Sequence, residues 1–90
     1  MNSGWTVEIT RKATKQLGKL DPQIVSRLLD YLRRLEANLD PTRVAKPLKG
    51  SLSNLKRFRV GDYRMICKLD EESSTILVLR AAYRKKAYRK

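Results

Sequence analysis

The run RFRVGDYRMIC, residues 57 to 67, constrains the fold of this chain more than any other stretch. Two alternating segments flank a Gly-Asp pair, the pattern of a β-hairpin closed by a two-residue loop of the primed type, in which glycine takes positive φ without steric cost. With Gly61 and Asp62 as the loop, the register follows: Val60 opposes Tyr63, Arg59 opposes Arg64, Phe58 opposes Met65 and Arg57 opposes Ile66. Because side chains alternate faces, Phe58, Val60, Tyr63, Met65 and Cys67 are expected on one side, and Arg57, Arg59 and Arg64 on the other.

The rest of the chain supplies what such a hairpin needs to cover one of its faces. WTVEIT (5–10) alternates like a half-buried strand, and RKATKQLGKL reads as a short helix with Ala13 and Leu17 on one face and Gly18 suited to its C-terminal end. Asp21-Pro22 gives an N-cap followed by proline in the first turn. Beyond it, over roughly 22–38, Ile24, Val25, Leu28, Leu29, Leu32 and Leu35 form an apolar stripe at helical spacing. Residues 41–54 read as loop; β-type runs follow at 55–60, 63–69 and 75–80, the apolar TILVLR lying inside the sheet. A basic tail, AAYRKKAYRK, shows no periodic core face. Ninety residues suffice for one domain, 1–90, and not for two. The fold class is therefore α+β: an N-terminal strand, a two-helix hairpin, then an antiparallel sheet of about four strands, helices on one face and a basic face left open.

Charge separates scaffold from contact surface. The chain carries 21 basic and 9 acidic residues, a net charge of +12. Residues 1–40 hold seven basic and five acidic side chains, whereas residues 41–90 hold fourteen and four. Such an excess costs compactness by self-repulsion and suits a polyanionic partner. Between residues 41 and 68 a single acid, Asp62, stands among eight basic residues, so nearby acids are few, and the plain alternative is a solvated face whose arginines pair with Asp62 or Glu71. A like-charge pair such as Arg59 and Arg64 is unfavourable unless an anion lies between its members, and a phosphate fits guanidinium forks bidentately. In the tail, Arg80, Arg84, Lys85, Lys86, Arg89 and Lys90 interleave with Tyr83 and Tyr88, a mixture suited to single-stranded nucleic acid, where charges track the backbone and rings stack on bases.

Several chemistries are excluded. There is no histidine, hence no imidazole base and a poor ligand set for zinc. Cys67 is the only cysteine and falls on the predicted core face, so it reads as a small buried hydrophobe, and a reducing cytoplasm is the expected compartment. Trp5 reads as a core or edge aromatic. No apolar run is long enough to span a bilayer, and MNSGWTVEIT lacks a signal-peptide core, so no membrane partner is expected.

Over nearly its whole length the chain resembles the RelE toxins of the RelE/ParE superfamily: an early strand, two helices, KPLKG before the sheet, RFRVGDYRMIC, and LVLRAAYRKKAY at the end. The resemblance implies the toxin of a type II toxin–antitoxin pair, a ribosome-dependent endoribonuclease that cuts mRNA in the A site without metal or cofactor. It implies as partners the ribosome, mRNA and a cognate acidic antitoxin. Site residues carried over are Arg57, Arg59, Arg64, Arg84 and Tyr88 as catalytic, with Lys49 matching the basic residue of the preceding loop. Beside them the charge and aromatic pattern of this chain marks Lys56, Arg80, Tyr83, Lys85 and Lys86, like Lys49, for contact with RNA or ribosome. Lys49 and Lys56 are candidates for protonating the leaving group. Where relatives carry lysines on the first hairpin strand this chain has Arg57 and Arg59, which stay protonated, and where many carry a histidine before the C-terminal arginine it has Tyr83. The general base is thus open among Tyr88, Tyr83 and Lys56. The same fold also serves ParE-like poisons of DNA gyrase, and the charge pattern alone fits a non-catalytic RNA- or ribosome-binding protein.

Overall fold

A computed structural model describes residues 4–37, 46–47 and 55–83. The chain runs β1 (Thr6–Ile9), α1 (Arg11–Gly18), α2 (Pro22–Ala37), β2 (Lys46–Pro47), β3 (Lys56–Val60), β4 (Tyr63–Asp70) and β5 (Thr75–Tyr83). The strands form one five-stranded sheet in the order β1-β5-β4-β3-β2. The α+β class is as the sequence predicts, with two differences. A fifth strand, β2, lies in the stretch read as loop; it is two residues long and includes a proline, so it carries no alternation to read. The sheet is also mixed, because β1 pairs parallel to β5 while the other pairs are antiparallel.

Local chemistry sets the helix starts. Thr10 caps α1 by accepting from the Ala13 amide at 3.1 Å, and Asp21 caps α2 by accepting from the Gln23 amide at 2.8 Å. Gly18 is the last residue of α1, but the cap is Lys19, with φ −95°, so no left-handed glycine ends this helix. From α2 the sheet receives Leu28, Leu32 and Leu35, all buried, with Ile24, Val25 and Leu29 partly buried beside them. They close on Phe58, Met65, Cys67, Ile76, Val78 and Ala81 from the sheet, and Ala13 and Leu17 of α1 complete the core. Trp5 packs half-buried against this cluster, as its alternation suggests.

The helices also satisfy the sheet's edge. On β1 the Val7 amide donates to Glu36 Oε2 of α2 at 2.9 Å, which protects an exposed strand edge from pairing with another chain. At the β4–β5 turn Asp70 Oδ1 accepts from the Glu72 amide at 3.0 Å and the Ser73 amide at 3.3 Å. The Ser73 amide and hydroxyl, with the Glu72 amide, hold this carboxyl below the usual range. Among the described residues no helix is long and apolar enough to cross a membrane.

Candidate nucleic-acid interface

The hairpin has the register expected from its loop: Arg57 pairs with Ile66, Phe58 with Met65, Arg59 with Arg64 and Val60 with Tyr63. Of the two loop residues only Gly61 takes positive φ, +58°, the pattern of a type II′ turn. Phe58 and Met65 are buried beneath the helices, so the alternate residues face away from them.

Pairing with β5 extends this face and brings in a residue that the sequence assigned to the tail. Ile66 pairs with Arg80, and Arg64 with Ala82. Two cross-strand rows result: Arg57–Ile66–Arg80 and Arg59–Arg64–Ala82. In register the arginines flank a small apolar patch in which Ile66, 5% exposed, packs with Leu55 and Ala82. Aliphatic arginine stems suit such a neighbour, since they cover apolar surface while keeping the charged head in water. At the outer edge β2 pairs with β3, Lys46 standing opposite Arg57 in register. Along the strands away from the arginines, Lys68 and Leu77 pair, and Glu8 pairs with Leu77. There a lysine and a glutamate flank Leu77 in register.

The arginine row depends on an irregularity in β5. Cys67 pairs with Val78 and Ile66 with Arg80, so Leu79 is an extra residue without a partner on β4. The buried residues of β5 are Ile76 and Val78 before the bulge and Ala81 after it, a change of phase by one. Without this insertion Arg80 would continue the phase of Ile76 and Val78 and point at the core. The apolar run from Ile76 to Leu79 hides the shift, because both of its faces are apolar, and β5 continues to Tyr83 where the sequence suggested an end at 80.

Arg64 differs from the expectation of an open clamp. Its position on the arginine face is as the register requires, but it is only 8% exposed, and its Nη1 donates to the carbonyls of Gly61 and Tyr63, both at 3.0 Å. The side chain folds back over the turn, whose carbonyls are within its reach. Arg59 is exposed, and Arg57 and Arg80 are half-buried.

Lys56 and Tyr83 fall on the opposite side. Lys56 pairs with buried Cys67, and Tyr83 pairs with Tyr63, against whose ring it lies edge-on at 5.6 Å. Of the three candidate bases, these two are separated from the arginines by the sheet. Lys49, Arg84, Lys85, Lys86 and Tyr88 lie outside the described residues. Cys67 is buried in the core as expected, and burial pushes its thiol up to about 12, far from nucleophilic readiness.

Comparison with known proteins gives one consistent picture. The family model for the ParE toxin of the parDE type II toxin–antitoxin system matches residues 7–88. Toxin RelG of Mycobacterium tuberculosis is 33% identical over 86 residues, covering 96% of this chain and 98% of the relative. Toxin RelE of the same organism is 30% identical, covering 92% and 84%. Among solved structures, the toxin–antitoxin complex RelBE2 of M. tuberculosis matches with a TM-score of 0.81 at 33% identity, over 90% of this chain and 99% of that one. The archaeal RelE–RelB complex of Pyrococcus horikoshii matches with a TM-score of 0.71 at 26% identity, over 93% and 99%.

Proposed function

The chain belongs to the RelE/ParE family of type II toxin–antitoxin toxins, and from that premise we propose that it is a ribosome-dependent mRNA endoribonuclease. The observation that carries this reading is the pair of rows Arg57–Ile66–Arg80 and Arg59–Arg64–Ala82, which gather arginines from three strands on one face, two of them directly opposed. A sheet built for stability alone avoids that pairing, whereas a phosphodiester makes it favourable.

In the proposed reaction the 2′-oxygen of one nucleotide attacks the adjacent phosphorus. The 2′-O–P bond forms, the P–O5′ bond breaks, and the products are a 2′,3′-cyclic phosphate and a 5′-hydroxyl. The transition state carries additional negative charge on the phosphoryl oxygens, which fixed cations stabilise. Arg59, Arg57 and Arg80 are proposed to bind the backbone at this point, with Arg84 joining them as the family resemblance implies. Arg64 holds the turn and adds its charge to the local potential. The proton leaving the 2′-hydroxyl is assigned to Tyr88, because Lys56 and Tyr83 lie across the sheet. Lys49 is assigned the proton for the departing 5′-oxygen, and Lys85 and Lys86 contact ribosomal RNA.

The neutralising partner is proposed to be an acidic antitoxin, since the matched structures from M. tuberculosis and P. horikoshii are toxin–antitoxin complexes. Action on ribosomes places the protein in the cytoplasm.

Purified ribosomes programmed with a defined mRNA test the reading. Cleavage that persists with chelator present, leaves a cyclic phosphate, and stops when the nucleotide before the cut carries a 2′-deoxy sugar supports it. Intact mRNA on these ribosomes removes it. The family model's description as a ParE toxin gives specific weight to a second reading, gyrase poisoning, which intact mRNA with gyrase-dependent DNA breaks would select.

A further inference from the structure

The arginine face includes Arg80 only because β5 changes phase at Leu79, and the contact that fixes the new phase comes from a residue far away in sequence. β1 ends at Ile9, and its last link to β5 is the Thr10 amide donating to the Val78 carbonyl at 3.0 Å. Past that point, among the described residues, no strand pairs with this side of β5. The Ala81 amide instead donates to Gln16 Oε1 of α1 at 2.8 Å, across 65 residues of sequence. The Thr10 hydroxyl reaches to 3.5 Å of the Leu79 carbonyl beside it.

In a β-strand the in-plane direction of the N–H and the face of the side chain alternate together, because both repeat every two residues and the chain is chiral. An acceptor that captures the amide of residue 81 from the α1 side therefore fixes the Ala81 side chain on the core face, where it is fully buried. The same step turns Arg80 and Ala82 onto the face of Arg57 and Arg59. Were the Arg80 amide to point at α1 instead, its guanidinium would enter the core.

We propose that Gln16 is a positioning residue: by receiving the Ala81 amide it holds β5 in the phase that turns Arg80 onto the arginine face. As a statement about function it rests on the RNA-cleaving reading above; as a statement about the strand it stands separately. Gln16 touches no substrate in this account and acts through the backbone of β5. The side chain is half-buried between α1 and the sheet, so solvent is a poor replacement for the lost acceptor.

The test uses the full chain in three variants: Gln16→Leu, which removes the acceptor at similar volume, Gln16→Glu, which keeps it, and Arg80→Ala. Two readouts are taken, amide hydrogen exchange at Ala81 and binding to a single-stranded RNA dodecamer as a function of salt. Gln16→Leu is expected to speed Ala81 exchange roughly fivefold to tenfold, the loss of about one hydrogen bond. It is expected to reduce the salt slope by about 0.7, one phosphate contact, as Arg80→Ala does. The double variant Gln16→Leu/Arg80→Ala then binds no more weakly than Arg80→Ala alone, and Gln16→Glu restores both readouts. Additive losses in the double variant, or unchanged Ala81 exchange in a folded Gln16→Leu protein, overturn the proposal. If Arg80→Ala binds RNA like the wild type, the arginine-face reading fails, and exchange at Ala81 alone then decides whether Gln16 sets the phase.

Discussion

Arg59 stands directly opposite Arg64 on the paired strands β3 and β4, yet the two side chains end in different surroundings. Arg59 is exposed, while Arg64 is 8% exposed and bound through Nη1 to the carbonyls of Gly61 and Tyr63. One arginine is available for a partner and the other is committed to the turn.

Arg59→Thr is therefore expected to stabilise the protein while weakening RNA binding. Removing a like-charge cross-strand pair and supplying a β-favouring residue are together worth about 0.2–1 kcal/mol. Urea unfolding checks the first effect and RNA titration the second. A variant both less stable and equally tight in RNA binding contradicts the assignment of Arg59 to the contact surface.

Arg64→Ala behaves differently, because it deletes charge-assisted hydrogen bonds and a buried stem. A loss of about 1.5–3 kcal/mol is expected. Cleavage by this variant must accordingly be compared at temperatures where it is folded, and Arg64→Lys recovers only part of the stability, since an ammonium lacks the planar fork.

The turn itself is sensitive at one position. Gly61 has φ +58°, and a Cβ there meets nothing within 4 Å, so the cost of Gly61→Ala is backbone strain alone, about 1–2 kcal/mol. Gly61→Asn costs less, as asparagine tolerates this conformation. Equal thermal stabilities of the alanine, asparagine and wild-type proteins would show that the turn does not depend on the left-handed residue.

Cys67 gives a pH signature. Burial raises its thiol from 9.0 to about 12, so the unfolded chain ionises first as pH rises. Stability from this group is fully present below pH 9 and declines between pH 9 and 12. Cys67→Ala should flatten that decline, measured as urea midpoints across the range, and a thiol reagent should modify the native protein only as fast as it opens. Rapid stoichiometric labelling of the folded protein contradicts this burial.

Much of this architecture was legible in the residues because it follows local rules. The Gly61-Asp62 loop set the hairpin register residue by residue, and the stripe from Ile24 to Leu35 gave α2 and its buried face. The Thr10 cap was also readable, since a threonine precedes the helical run, although alternation drew it into β1. What stayed hidden depends on contacts between distant parts. The bulge at Leu79 follows Ile76, Leu77 and Val78, where residues of both faces are apolar, so periodicity carries no phase information, and its anchor Gln16 belongs to another element. Likewise, Arg64 is as polar on paper as Arg59; only the geometry of the turn carbonyls separates them. Lys56 and Tyr83 read as companions of the arginines by proximity in sequence, but alternation in paired strands puts them across the sheet.

In the proposed reaction the face carrying Arg57 and Arg59 engages the mRNA during cleavage. The most direct measurement is the single-turnover rate of mRNA cleavage on programmed ribosomes by Arg57→Ala/Arg59→Ala, beside a melting curve of the same preparation. The expected result is a melting temperature at or near that of the wild type and a rate lower by about a hundredfold or more, the scale of losing preorganised charge at a transition state. A folded double variant that cleaves at the wild-type rate would contradict it.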